Sequence, residues 1–205
     1  MSPPRFRQTP AADIDVSLLP TYVYGAGSMM WWGTMGLMLI EGTVFALAIV
    51  MYFYLRSHSL TWPVNRAPEL LWGGINTAIL LVSVVPNWLT KRAAEREDLP
   101  AVRRWLAVCL LCAALFLTAR VFEFGALHTR WDSNAYGSIV WMLLALHTTH
   151  LVTDTIDTAV LLVLMITGPL EGKRFVDVSE NAMYWYFVVG SWLPIYAVIY
   201  WGARL

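Results

Sequence analysis

The sequence is poor in charged residues and in cysteine. Only 14% of its 205 residues are charged, whereas 58% are hydrophobic. Acidic and basic residues number 14 each, so the net charge points neither to nucleic acid nor to another charged partner. A chain with this composition is typical of a protein that crosses the membrane several times, and not of a soluble domain.

The only two cysteines, Cys109 and Cys112, form a C-x-x-C pair inside an apolar segment. The segment has no second pair and no nearby histidine, so the pattern does not favour a zinc or iron–sulfur site. We expect the two thiols to act as small apolar side chains.

The N-terminal stretch also lacks the apolar core of a cleaved signal peptide. Residues 1–20 carry proline, arginine and aspartate instead. The sequence therefore predicts a cytoplasmic arm over residues 1–30, with the first membrane helix as the uncleaved insertion signal.

Five apolar runs follow the arm, each long enough to cross a bilayer. They predict an all-α, five-helix membrane domain over residues 31–205, with helices at about 31–55, 70–89, 105–124, 138–166 and 181–202. Pro86 is expected to kink or end the second helix early.

The distribution of Lys and Arg near the helix ends predicts the orientation. The arm, the second loop and the fourth loop carry most of these residues, and the other side of the membrane has few. By the positive-inside rule, the N-terminus is cytoplasmic and the C-terminus lies outside. The chain is therefore expected to be a multi-pass membrane protein.

The fourth apolar run carries two histidines and two aspartates. On a helix, His147, His150, Asp154 and Asp157 fall within an arc of about 80°. A charge near the bilayer centre costs about 3 kcal/mol even on the lenient insertion scale. The stripe must therefore face protein, water or a bound polar molecule.

Three interpretations of this stripe remain open. A single metal ion cannot reach all four side chains, because the last lies about 15 Å along the axis from the first, and a partial site would need ligands from other helices. A proton or water path is the second possibility. The third is a hydrogen-bonded seam that fixes helix packing and contacts a lipid headgroup.

Two further polar positions lie in apolar runs. Glu41 is near the middle of the first helix, where an isolated carboxyl is either protonated or paired in the bundle interior. Arg120 and Glu123 are one turn apart near the end of the third helix. They could form an ion pair or simply mark a helix end in contact with water.

The order of several motifs resembles subunit III of the haem–copper cytochrome c oxidases, in the short five-helix form found in bacteria. The resemblance covers nearly the whole chain from Trp31 to Gly202. The motifs are Glu41, NTAILLVS at Asn76 to Ser83, Glu123 after LFLTARVF, AYGS at Ala135 to Ser138 leading to LHTTH, and Glu180 to Phe187 with Trp192.

The chain departs from the family pattern in two helices. The fourth has ALHTTH where the family has Gly-Phe-His-Gly-x-His, and adds Asp154 and Asp157. The last helix has tyrosine and valine at 186 and 189, where the family has His and Asp. One hypothesis is that the two aspartates replace this lost pair.

The resemblance implies a non-catalytic oxidase subunit that packs against catalytic subunit I, binds phospholipid in a V-shaped cleft between its first two helices and the rest, and supports proton uptake and oxygen access. Haem and copper would lie in the partner subunits. No redox cofactor or metal is expected in this chain, which has no C-x-x-C-H motif and no dense histidine cluster.

The resemblance also implies roles for individual residues. Glu41 would be the buried carboxyl near the catalytic subunit, and Asn76 a helix-packing residue. Glu123, His147 and His150 would be polar members of the bundle near the lipid cleft, to which we add Asp154 and Asp157 of the stripe. No catalytic residue is predicted.

Two other functions remain open from the sequence. The accessory subunit of a nitric oxide reductase complex is a five-helix relative within the same superfamily. A small cation or proton transporter could use the His/Asp stripe, although the chain shows no inverted repeat of the kind that many transporters have.

Overall fold

The computed structural model describes residues 22–64, 66–169 and 171–204, and this part of the chain forms five long helices. They are α1 (Met29–Ser57), α2 (Leu70–Glu95), α3 (Leu99–Gly125), α4 (Ala135–Thr167) and α5 (Gly172–Tyr196), the last continued by a π-helical turn over Ala197–Trp201. Each is long and apolar enough to cross a membrane. The predicted all-α, five-helix membrane class is confirmed.

The predicted N-terminal arm lies mostly outside the described residues, which begin at Tyr22. The described part includes a short 3-10 turn, Gly25–Gly27. Tyr24 donates its hydroxyl to the Ala94 carbonyl at 3.2 Å, which ties this segment to the end of α2. Burial, aided by the nearby Glu97 carboxylate, raises the pKa of Tyr24 to about 12, so the phenol stays a donor at physiological pH.

Several predicted helix ends are wrong. Helix α2 continues to Glu95, α3 already begins at Leu99, and α5 begins at Gly172. The predictions followed the apolar runs, but the helices extend into the charged flanks. At the start of α3, Asp98 caps the helix by accepting a hydrogen bond from the Ala101 backbone N–H at 3.2 Å.

Pro86 lies inside α2 and does not end it. A proline removes one backbone donor, but in a membrane helix side-chain hydroxyls and neighbouring helices can satisfy the backbone groups nearby. The carbonyl that loses its donor is that of Val82, four residues before the proline, and the helix continues beyond this point to Glu95. Of the two effects predicted for Pro86, an early end of the helix is therefore wrong, and a kink stays a prediction.

Helices α2, α3, α4 and α5 form a ring in which each packs against two neighbours, and α1 packs from outside against α4 and α5. The expected cleft between the first two helices and the rest is not formed in that way, because α2 belongs to the ring. Four polar contacts hold α2 to α5. They are Trp185 to Ser83 at 2.9 Å, Trp192 to Thr77 at 2.8 Å, Asn87 to the Ala182 carbonyl at 2.8 Å, and Lys91 to Ser179 at 2.9 Å.

Only the second half of α1 is buried against the other helices. Its buried residues are Phe45, Ala48 and Tyr52, which pack into the apolar core. Nearer its N-terminus, Met30, Thr34 and Leu37 line an open cavity instead. The cleft of this fold therefore lies between α1 alone and the α4–α5 pair.

Candidate functional site

The ion pair of Arg120 and Glu123 is the centre of a buried polar network. Arg120 donates from Nη1 to Glu123 Oε2 at 2.7 Å, and each side chain is only 1% exposed. Asn76 of α2 donates to the same oxygen, and the Tyr200 hydroxyl donates to Oε1. The alternative that this pair marks a solvent-exposed helix end is therefore wrong.

His147 of α4 joins the same network. Its Nδ1 lies 3.3 Å from Arg120 Nη2 and its Nε2 lies 3.0 Å from the Val188 carbonyl. A guanidinium can only donate and a carbonyl can only accept, so Nδ1 is the acceptor and Nε2 carries the hydrogen. This arrangement fixes a neutral tautomer that joins α3, α4 and α5.

Aromatic rings enclose the guanidinium of Arg120. Its central carbon lies 4.6 Å from the centroid of the Phe116 ring and 4.2 Å from that of Trp192. Cation–π contacts of this kind partly replace the hydration that a buried cation loses. The network therefore connects all four helices of the ring.

A second polar cluster lies around a cavity of about 580 Å³ between α1, α4 and α5. Its lining residues are Met30, Thr34, Leu37, Glu41, Thr153, Asp154, Asp157, Val160, Leu161, Asp177, Glu180, Asn181 and Tyr184. The cavity extends from the N-terminal end of α1 to Glu41 near the middle of that helix.

Glu41 lies at the end of this cavity that is nearest the middle of α1. Its carboxylate contacts one residue of α5 and one of α4. The Tyr184 hydroxyl donates to Glu41 Oε2 at 2.7 Å, and His150 Nε2 lies 3.5 Å from Oε1. His150 Nδ1 lies 2.6 Å from the Leu146 carbonyl and must donate to it. Nε2 is therefore the ring nitrogen that faces the Glu41 carboxyl.

The two aspartates of the stripe both border this cavity. Asp154 is 3% exposed, whereas Asp157 is exposed. Asp154 also borders a small void next to Asn181 and Trp185 of α5. That these aspartates replace the family's missing last-helix pair stays a prediction.

The structure thus divides the predicted site residues into two groups. The buried network contains Asn76, Glu123 and His147. Tyr200, near the C-terminus, belongs to the same network. The other predicted residues, Glu41, His150, Asp154 and Asp157, lie at or beside the cavity. Helix α4 joins the two groups, since it contributes to both.

Four residues of these two groups were not predicted as site residues from the sequence. Tyr200 belongs to the network, and Asp177, Glu180 and Tyr184 belong to the cavity. The last three are spaced i, i+3 and i+7, which places them on one helix face. That signal was hidden by the prediction that α5 begins at residue 181.

The cavity does not have the geometry of a metal centre. Among the described residues, no three or more His, Cys, Asp or Glu side chains come together closely enough to hold an ion. The interpretation of the stripe as a metal site is therefore not supported.

Comparison with known proteins agrees with the resemblance. A family model described as "Cytochrome c oxidase subunit III" matches residues 35–204. A Synechocystis protein named cytochrome c oxidase subunit 3 is 22% identical, over 86% of this chain and 77% of its own length.

Two actinobacterial relatives bear the name probable cytochrome c oxidase subunit 3. The Nocardia farcinica protein is 27% identical and that of Mycobacterium leprae 28%, each over 85% of both chains. These similarities do not favour the nitric oxide reductase or transporter alternatives. The chain belongs to the cytochrome c oxidase subunit III family.

Proposed function

We propose that this chain is the non-catalytic subunit III of a bacterial haem–copper terminal oxidase, packed in the inner membrane against catalytic subunit I, which holds the haem and copper. The observation that carries this proposal is the family match over residues 35–204, which includes nearly all of the five-helix bundle. The Arg120–Glu123 network serves this role by making the four-helix ring a rigid support.

Helix α1 is the face that we assign to the neighbouring oxidase subunit. In its most apolar 18-residue stretch, only 17% is buried within this chain, against 22% to 44% for the corresponding stretches of the other four helices. At Gly33 and Gly36 of this helix no side chain of the described residues lies within 4 Å of an added Cβ, so the backbone of another helix can approach there closely.

The cavity next to α1 supports a role in proton supply. Glu41, His150 and Tyr184 form a chain of exchangeable groups near mid-membrane, and acidic side chains lead from them towards the N-terminal side. Ionisable groups at this depth mark proton or ion pathways in many membrane proteins. We assign phospholipid to the apolar outer faces of the bundle.

The docking face is tested by one surface substitution with a matched control. Gly36→Leu adds a large side chain on α1 where no described residue from elsewhere in the chain lies within 4 Å, and Gly190→Leu does the same on α5. Both variants should accumulate in the membrane as folded chains. We expect Gly36→Leu, but not Gly190→Leu, to reduce the catalytic subunit recovered with a tagged chain. Equal recovery with both variants would contradict the assignment of α1.

A further inference from the structure

The cavity between α1, α4 and α5 is strongly acidic although the chain as a whole is neutral. Five of its thirteen lining residues are Asp or Glu, and among the described residues that line it none is Lys, Arg or His. Apolar side chains such as Leu37, Val160 and Leu161 form part of the same wall. The cavity therefore combines negative charge with an apolar surface.

Two of these acids are buried without a partner. Asp154 and Glu180 are 3% and 4% exposed, and none of their four carboxylate oxygens has a hydrogen-bond partner among the described residues. Leaving a buried carboxylate unpaired is costly. Each carboxyl is therefore either neutral or bound to a cation that enters the cavity.

Two basic side chains close to the acids of the cavity, Lys91 and Arg174, are engaged elsewhere. Lys91 donates to the Ser179 hydroxyl at 2.9 Å and pairs with Glu95 at 3.2 Å. Arg174 donates from Nε to the Pro169 carbonyl at 2.9 Å. Within the described part of the chain, neither forms an ion pair with Asp154 or Glu180.

The cation must come from the open cavity. The void on the other side of Asp154 measures only about 10 Å³, at the lower limit for a single water. The open cavity, at about 580 Å³, is large enough for an organic molecule.

The acids are spread along the cavity and do not surround one point. Asp177 and Glu180 lie near the start of α5, whereas Glu41, Asp154 and Asp157 lie deeper, so the carboxyls span about 12 Å along the helix axes. This spacing does not suit one dehydrated metal ion, in agreement with the absence of a converging ligand set among the described residues. It suits an elongated ligand with several positive charges.

We propose that this cavity binds a linear polyamine, whose primary ammonium groups pair with Asp154 and Glu180 while its methylene chain lies against the apolar wall. An ammonium group offers three donors to carboxylate oxygens, and charge-assisted hydrogen bonds of this kind are strong. The proposal goes beyond the role as an oxidase subunit and does not depend on it.

The test uses the full chain with the subunits that accompany it in mild detergent, transferred to nanodiscs of phosphatidylcholine and phosphatidylglycerol. Binding of radiolabelled spermidine is measured by equilibrium dialysis at constant ionic strength. We expect saturable binding in proportion to the chain. The double variant Asp154→Asn, Glu180→Gln should bind about a hundredfold more weakly or worse, because each lost charged hydrogen bond weakens binding by about tenfold or more.

A matched control and a second variant keep this test decisive. Glu171→Gln removes an exposed carboxyl on the same side but outside the cavity lining and should bind as the unaltered chain does. Asp177→Asn, nearer the cavity mouth, should weaken binding without removing a deeply buried group. No binding by the unaltered chain would mean that the two carboxyls are neutral. Equal loss with Glu171→Gln would mean surface attraction only, and either result would overturn the proposal.

Two competitors of spermidine test whether another ligand occupies the cavity. Magnesium at the same ionic strength should displace little spermidine, because the carboxyls do not converge on one point. Nanodiscs that also contain phosphatidylethanolamine should bind as much spermidine as those without it. Displacement by magnesium would mean that the cavity binds a hydrated metal ion and not a polyamine. Displacement by the lipid would mean that it binds an ammonium headgroup instead.

Discussion

Arg120 and Glu123 form an ion pair 2.7 Å long whose two side chains are each 1% exposed, in the centre of the four-helix ring. One turn of α3 brings the pair together, but its environment comes from elsewhere. Asn76 is 47 residues from Glu123 in sequence and Tyr200 is 77, and both donate to its carboxylate. A local pair thus becomes the point at which α2, α3 and the end of the chain meet.

Breaking this pair should be far more damaging than breaking an exposed one. Arg120→Met leaves the Glu123 carboxylate buried without its cation, which should cost about 3–5 kcal/mol. Arg130→Met removes a pair with Asp132 whose side chains are 76% and 42% exposed, and should cost at most about 1 kcal/mol. Thermal denaturation of the purified chains compares the two.

The double variant Arg120→Met, Glu123→Leu tests the reason for this cost. It leaves no unpaired charge, so it should regain part of the lost melting temperature. Asn76 and Tyr200 still lose their acceptor, so the recovery should be incomplete. If the double variant melted no higher than Arg120→Met alone, the unpaired carboxylate would not be the cause.

Adjacent glycines in α2 offer a second, closely matched comparison. A Cβ added at Gly73 would overlap the Tyr200 ring, whereas one at Gly74 would have no neighbour within 4 Å among the residues that the structure describes. Gly73→Ala should therefore destabilise the chain by about 1–3 kcal/mol through overpacking. Gly74→Ala should be neutral or stabilise α2 by up to about 1 kcal/mol, since alanine favours a helix. Similar melting temperatures for the two variants would show that Tyr200 does not pack against Gly73.

The proposed orientation can be read by cysteine labelling in spheroplasts. In a chain with Cys109→Ala and Cys112→Ala, a membrane-impermeant maleimide should label Leu60→Cys in the α1–α2 loop. It should label Glu171→Cys, between α4 and α5, only after permeabilisation. The reverse pattern would place the N-terminus outside and contradict the count of Lys and Arg.

The helical period correctly predicted that one face of α4 carries the polar side chains. This face lies at or beside α1 and α5, and it carries His147, His150, Asp154 and Asp157. The separation of this stripe into a closed network and an open cavity could not be predicted. It depends on where α1 diverges from α4 and α5, which is a property of packing between distant segments.

The helix ends were missed for a different reason. Apolar runs mark the part of a helix that lies in hydrocarbon, but backbone hydrogen bonding continues into charged flanks such as those of α2, α3 and α5. The capping side chain of Asp98 was visible in the sequence, followed by Pro100 in the first turn of α3. Reading that cap would have placed the start of α3 correctly.

The central claim is that this chain is a subunit of a haem–copper oxidase, and co-purification tests it most directly. The tagged chain is extracted in mild detergent, its partners are identified from their peptides, and a reduced-minus-oxidised spectrum is recorded. The account predicts a haem signal together with a large catalytic subunit in proportion to the tagged chain. A stable, colourless chain that purifies alone would contradict it.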